Sequence, residues 1–164
     1  MGFIIGDTET NTLDFENKGL TTRTVKAVAD AISKYKLKIE NVNCAQNQMK
    51  DLDCKLIMDA LQNQYKNLVT LSFRGNKIGS TGVTAIISAY DKARNIETLD
   101  LSENIISDEA AMRLLERIEK IGSKLKTLSL SRNFIGKTVH APGMANAFAT
   151  YMTSPNSKYF FLWR

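Results

Sequence analysis

A segment that returns at a nearly fixed interval constrains this chain more than any other feature. Three copies are clear: LVTLSFRGNKI from Leu68, IETLDLSENII from Ile96 and LKTLSLSRNFI from Leu125. Two weaker copies lie upstream in the same register, IENVNCAQNQM from Ile39 and TNTLDFENKGL from Thr10, the last with Lys18 where the others carry asparagine. Those asparagines, Asn47, Asn76, Asn104 and Asn133, stand 29, 28 and 29 residues apart. A period of this length means a stack of supersecondary units, each able to bury its apolar side only against its neighbours.

Within each copy, apolar and polar residues alternate, which gives a short strand with successive side chains on opposite faces. Leu13 with Phe15, Val42 with Cys44, Leu71 with Phe73, Leu99 with Leu101, and Leu128 with Leu130 point inward, which makes Cys44 a small core residue. The asparagine follows where the chain turns away, and its amide can pair with backbone groups that the turn leaves without partners. The second half of each copy has helical spacing: Val25, Val28, Ala29 and Ile32; Cys54, Ile57, Met58 and Leu61; Val83, Ile86, Ile87 and Tyr90; and Ala111, Leu114, Leu115 and Ile118. Ser107 and Asp108 are helix-starting residues for the fourth copy. In the fifth copy Pro142 and Gly143 delay the helix to about 144–152.

This pattern resembles the leucine-rich repeat, and its 28 or 29 residue length with a helical second half resembles the ribonuclease-inhibitor-like subfamily. The resemblance covers residues 10–152 and implies an α/β fold. The expected architecture is a right-handed curved solenoid of about five repeats, with a parallel β-sheet on the concave face and helices on the convex face. Residues 1–164 are expected to form a single domain, with Phe3, Ile4 and Ile5 in an N-terminal cap over 1–9 and a C-terminal capping strand or tail over 153–164.

Composition narrows the setting. The 43% apolar and 24% charged content over 164 residues is that of an ordinary globular domain. No window is apolar enough to span a bilayer, and the start lacks the basic flank of a secretory signal, so a cytoplasmic or intracellular location is expected. Two cysteines cannot build a disulfide framework, which agrees with that setting. The net charge of +5 is spread along the chain and reads as a solvated surface.

Catalytic chemistry finds no footing. His140 is the single histidine, with no acid or cysteine framed beside it in the repeat to form a nucleophile and base. Cys44 and Cys54 lack the second pair that a zinc site needs. Gly75, Gly79 and Gly82 in RGNKIGSTG fit neither phosphate-binding fingerprint and read as a turn signal. No enzyme, metal or cofactor is expected.

The repeat register maps the outward face of the sheet. Thr12, Asp14 and Glu16 are followed by Asn41, Asn43 and Ala45, then Thr70, Ser72 and Arg74, then Thr98, Asp100 and Ser102, then Thr127, Ser129 and Ser131. This reads as an accessible floor of small polar residues, with Asn17, Gln46, Gly75, Glu103 and Arg132 on its rim. After each ladder asparagine come Gln48, Lys77, Ile105 and Phe134, so the last two copies place large apolar residues where polar ones stood. An apolar pair flanked by charge has the composition of an interface hot spot.

The resemblance implies a module that binds another protein on its concave face, with inhibition by covering the partner's active surface as one mode. The expected contacts are Asn43, Gln46, Ser72, Arg74, Asp100, Ser102, Glu103, Ile105, Ser129, Ser131, Arg132, Phe134 and Trp163. A GTPase regulator is the alternative, since a related subfamily includes GTPase-activating proteins. A nucleic-acid binder would need a basic stripe with aromatics, which the concave columns do not supply. Neither a nucleic acid nor a membrane is therefore expected as partner, and the chain alone is expected to be a monomer. Small leucine-rich-repeat proteins without a signal peptide are similar to effectors of intracellular bacteria, and the lysine-, asparagine- and isoleucine-rich composition is compatible with that. On that reading the chain reaches a host cell by a specialised secretion system, and its partner is a host protein or another bacterial effector.

Overall fold

A computed structural model describes residues 11–34, 38–121, 124–136 and, as backbone, 160–162. Strands and helices alternate: β1 (Thr12–Asp14), α1 (Thr22–Lys34), β2 (Asn41–Asn43), α2 (Asp51–Ala60) continued by a 3-10 turn (Leu61–Gln64), β3 (Thr70–Ser72), α3 (Ser80–Tyr90), β4 (Thr98–Asp100), α4 (Asp108–Lys120), β5 (Thr127–Ser129) and β6 (Phe160–Leu162). The strands form one parallel sheet in sequence order. The register aligns Leu13, Val42, Leu71, Leu99 and Leu128 in one row across the sheet. Each helix packs on the next along the other layer. Parallel strands lie about 4.8 Å apart, whereas packed helices need roughly 8–10 Å. The stack therefore curves with the sheet inside, which is the solenoid read from the sequence.

The core is the set of columns that the periodicity selects. Every inward strand residue named above is buried, and so are the helix residues apart from Ile87, which is half-buried against the core. Leu20, Met49, Ile78, Ile106 and Ile135 add a further buried column between strand and helix. Burial pushes the Cys44 thiol up to about 12 and raises that of Cys54, so both stay protonated and behave as apolar side chains. The fifth helix expected near 144–152, His140 with Pro142 and Gly143, and the N-terminal cap lie outside the described residues. The tail contributes β6, in register with β5.

Asparagine holds the turns. Asn104 Nδ2 donates to the carbonyls of Phe73, Leu101 and Ser102 at 2.9, 3.1 and 3.0 Å, and its Oδ1 accepts from the Ile78 amide at 3.0 Å. Asn47, Asn76 and Asn133 repeat the pattern, each reaching one carbonyl and one amide of the preceding copy. All four are buried, so their amides replace the water that these turns would otherwise need.

The helix starts differ in detail from the sequence reading. Ser107 caps α4 by accepting from the Ala110 amide. In the second copy the cap position is Lys50, and Asp53, buried, takes the Lys50 amide at 2.9 Å. The three glycines of RGNKIGSTG are not one turn signal. Gly75 turns the chain with φ +66, Gly79 precedes α3, and Gly82 lies inside α3. A Cβ on Gly82 would stand 2.5 Å from Ile78 Cγ2 and 2.8 Å from Asp51 Oδ1, so this glycine is required by the close approach of α3 to its neighbour.

Asn104→Ala orphans the buried Ile78 amide and takes one of two donors from each of the Phe73, Leu101 and Ser102 carbonyls, which keep Asn76, Asn133 and the Gly75 amide respectively. Each orphaned buried group costs roughly 1–3 kcal/mol. Thermal unfolding is expected to show a loss of at least about 2 kcal/mol, whereas an unchanged melting temperature would contradict the ladder's role.

Candidate protein-binding face

Five equivalent positions end the strands on the sheet side: Asn17, Gln46, Gly75, Glu103 and Arg132. All five have the left-handed backbone, with φ of +51, +54, +66, +56 and +55 respectively. This conformation turns the chain sharply out of the strand just before the ladder asparagine. It also projects the side chains of these residues along one rim. Only Gly75 adopts it without steric cost.

The rim side chains converge on Glu103. Arg74 donates to Glu103 Oε1 from Nε at 3.2 Å and from Nη2 at 2.9 Å. Arg132 donates to the same oxygen from Nη1 at 3.3 Å, and Gln46 Nε2 reaches Oε2 at 3.3 Å. Gln46 thus crosses a whole repeat, and it passes over Gly75: a Cβ there would stand 2.6 Å from Gln46 Nε2. Glu103 is the most enclosed member, with its side chain 25% exposed against 47% for Arg74 and 74% for Arg132. Arg132 makes the longer of the two arginine contacts and keeps most of its donors toward solvent.

Beside this cluster stand Ile105 and Phe134, 46% and 50% exposed. They occupy neighbouring rungs of the turn ladder: the Ile105 amide donates to the Ile78 carbonyl and the Phe134 amide to that of Ile106, each at 3.0 Å. Leu52, in the first turn of α2, is the other large apolar side chain exposed among the described residues. The sequence reading missed it because it lies between the core positions of that helix. The signal was available: the equivalent residues of the next two copies are Thr81 and Glu109.

The floor departs from the sequence reading. Ala45, Ser102 and Ser129 are buried, so the last two are not accessible contacts. Ser102 gives both its amide and its hydroxyl to Asp100 Oδ1, and Ser129 lies in register with Leu162 of β6. Asp100, Asn43 and Ser72 do local work, as does Asp14. Their side-chain oxygens accept the amide two residues on, from Ser102, Ala45, Arg74 and Glu16 respectively. These are the side-chain turns that Asp, Asn and Ser favour. A column made only of those residue types was the sign of it. Asn43 also donates to Glu16. Ser131 is half-buried, and Trp163 lies outside the described residues. Among the predicted contacts, the structure therefore brings together Gln46, Arg74, Glu103, Arg132, Ile105 and Phe134.

The family model described as Leucine Rich repeat matches residues 66–86 and 92–115, over the copies whose strands, asparagine ladder and helices are described above. Residues 66–86 and 92–115 are thus matched as leucine-rich repeats. Its repeats are similar to parts of larger proteins. It is 26% identical over 108 residues to FERM domain-containing protein C of Dictyostelium discoideum, covering 66% of this chain and 7% of that protein. It is 29% identical over 87 residues to RAN GTPase-activating protein 2 of Arabidopsis thaliana, covering 53% and 16%. It is 27% identical over 107 residues to human NACHT, LRR and PYD domains-containing protein 13, covering 65% and 10%. The chain thus spans at most 16% of the length of these relatives. Among solved structures, Leiomodin-1 Actin-Binding Site 2 superposes with a TM-score of 0.64 at 15% identity, over 90% of this chain and 81% of that one, a likeness of fold.

The charge cluster titrates in a defined direction. Hydrogen bonds from Arg74 and then Gln46 hold the Glu103 carboxyl below its ordinary value of 4.5. A carboxyl with a lower pKa folded than unfolded stabilises above its unfolded value, and the contribution disappears as pH falls through the folded one. In an NMR titration Glu103 is expected to protonate below the usual carboxylate range, and Arg74→Ala is expected to move it upward. An unchanged titration in that variant would mean that Arg74 does not hold Glu103 in solution.

Proposed function

We propose that this chain is a leucine-rich-repeat protein-interaction module that takes its partner on the concave face and the adjoining C-terminal rim. The observation that carries this reading is the exposed Ile105 and Phe134 beside the cluster of Arg74, Glu103 and Arg132. An exposed aromatic anchor next to arginine is the composition that dominates protein interfaces, where a few such residues supply most of the affinity. Arg132, held at one point by Glu103 and otherwise open, can reach a partner's carboxylate with its remaining donors. The inhibitory form of this reading needs nothing more than a partner enzyme whose working surface the face covers. Delivery of the chain into a host cell as a bacterial effector is the corresponding biological setting.

GTPase regulation is the second reading, favoured by the likeness to RAN GTPase-activating protein 2. Arg74, held by Glu103 through two nitrogens, is not free to stabilise a transferring phosphate without breaking that contact, which leaves Arg132 as the arginine that this reading requires. Single-turnover GTP hydrolysis by a Ran-type GTPase separates the readings: under the interaction reading the rate stays intrinsic when the chain is added, and acceleration would favour the regulator.

The site itself is tested with partners captured by crosslinking and then titrated in purified form. Phe134→Ala with Arg132→Ala is expected to weaken binding by at least about 2 kcal/mol. Arg113→Ala with Glu116→Ala, on the exposed side of α4, is expected to leave it unchanged. Equal losses in the two variants, or a loss only in the second, would place the site elsewhere.

A further inference from the structure

Basic residues that are scattered along the sequence are gathered by the fold onto one edge. That edge is where the helices end and the chain returns to the sheet. Over residues 34–40, 64–69, 91–97 and 117–126 the described positions hold nine basic and four acidic side chains. On the opposite edge, residues 15–24, 44–53, 73–82, 101–109 and 130–136 hold six of each. The strands themselves add only Asp14 and Asp100. The positive charge of the described chain therefore sits along one side of the solenoid, and the concave face is not part of it.

Hydrogen bonds fix the order of this edge. Asn95 donates to the Lys66 carbonyl at 2.6 Å, and Lys124 Nζ donates to Asn95 Oδ1 at 2.9 Å, so Lys66, Arg94 with Asn95, and Lys124 occupy successive rungs. Three of the four acids are already engaged, in the pairs Lys38–Glu40, Lys126–Glu97 and Arg117–Asp91, and the fourth, Glu119, is exposed. Lys66, Lys92, Arg94 and Lys124 are exposed and have no carboxylate partner among the described residues. Helix C-termini carry roughly half a negative charge each, which offsets part of this surplus and leaves the sign unchanged.

We propose that this edge is an electrostatic docking surface for an anionic lipid bilayer, approached through Lys66, Lys92, Arg94 and Lys124. Three observations favour a bilayer over other polyanions. The large apolar side chains exposed among the described residues, Leu52, Ile105 and Phe134, all lie toward the opposite edge, so this one has no anchor of the kind a protein interface uses. Its described residues also offer no exposed aromatics of the kind on which single-stranded nucleic acids stack, since Tyr65 and Tyr90 are buried. The free charges are mostly lysines, which act as point charges spread over successive repeats and do not form the paired forks that single out one phosphate. Polybasic attraction to anionic lipids needs only such charges near a surface. Docked on this edge, the chain keeps its concave face clear of the membrane.

The test is flotation of the intact chain with vesicles of phosphatidylcholine alone and of phosphatidylcholine mixed with phosphatidylserine. Binding is expected only to the mixed vesicles and is expected to fall as salt is raised. Each basic residue near such a surface strengthens partition by about fivefold. Alanine at Lys66, Lys92, Arg94 and Lys124 together should then weaken binding by roughly several hundredfold. Should that variant not fold, as judged by circular dichroism, Lys66→Glu with Lys124→Glu serves in its place. Arginine at the three lysines should retain binding, and Lys50→Ala with Lys77→Ala on the opposite edge should not affect it. Equal binding to both kinds of vesicle, no binding to either, an equal loss in the opposite-edge variant, or stronger binding to duplex DNA or polyglutamate than to the mixed vesicles would overturn the proposal.

Discussion

A buried side-chain amide that serves backbone groups of two neighbouring repeats is the contact on which this molecule depends. Strands of three residues cannot hold a sheet by themselves, because the chain leaves each one almost as soon as it has entered. Every departure exposes carbonyls and amides in a place that water cannot reach. Asparagine answers this in each copy from the second onward, with two amide hydrogens to give and an oxygen to receive. The first copy has Lys18 at that position and is served by Asn47 of the second. Because the bonds cross between copies, packing of one repeat and order in the turn of the next are one event, as stacked repeats require.

The binding face inherits its rigidity from that scaffold. The contacts around Glu103 are ion pairs near the surface, and such pairs contribute little to stability. Their effect is orientation: Arg74 is fixed by two nitrogens, while Arg132 is only tethered. A rigid arginine, a tethered arginine and two exposed apolar side chains on neighbouring rungs reduce the side-chain entropy that a partner must freeze out on binding.

The sequence made the core legible because burial in a repeat is periodic. Leu71 and Phe73 in a strand, or Leu114, Leu115 and Ile118 in a helix, announce their side by spacing alone, and the structure buries each one. The pair Ile105 and Phe134 was legible for the opposite reason, as an apolar break in a polar column. What spacing does not reveal is how a polar side chain is employed. Ser102 and Arg132 both looked like surface contacts, yet one is buried against Asp100 and the other is open. The capture of Glu103 by Gln46 joins residues 57 positions apart and depends on a missing side chain at Gly75. The basic edge was hidden as well, because residues that are neighbours across repeats are nearly thirty positions apart along the chain.

The left-handed rim has a consequence for how this surface can change over time. A left-handed residue other than glycine costs roughly 1–2 kcal/mol, somewhat less for asparagine. At that corner Asn17, Gln46, Glu103 and Arg132 all stand where glycine would be more comfortable, and only Gly75 is glycine. Four glycines would give a more stable solenoid with a bare rim. The conformational strain is a standing cost of displaying chemistry at this corner, and it makes the rim the place where drift toward stability would erase recognition first.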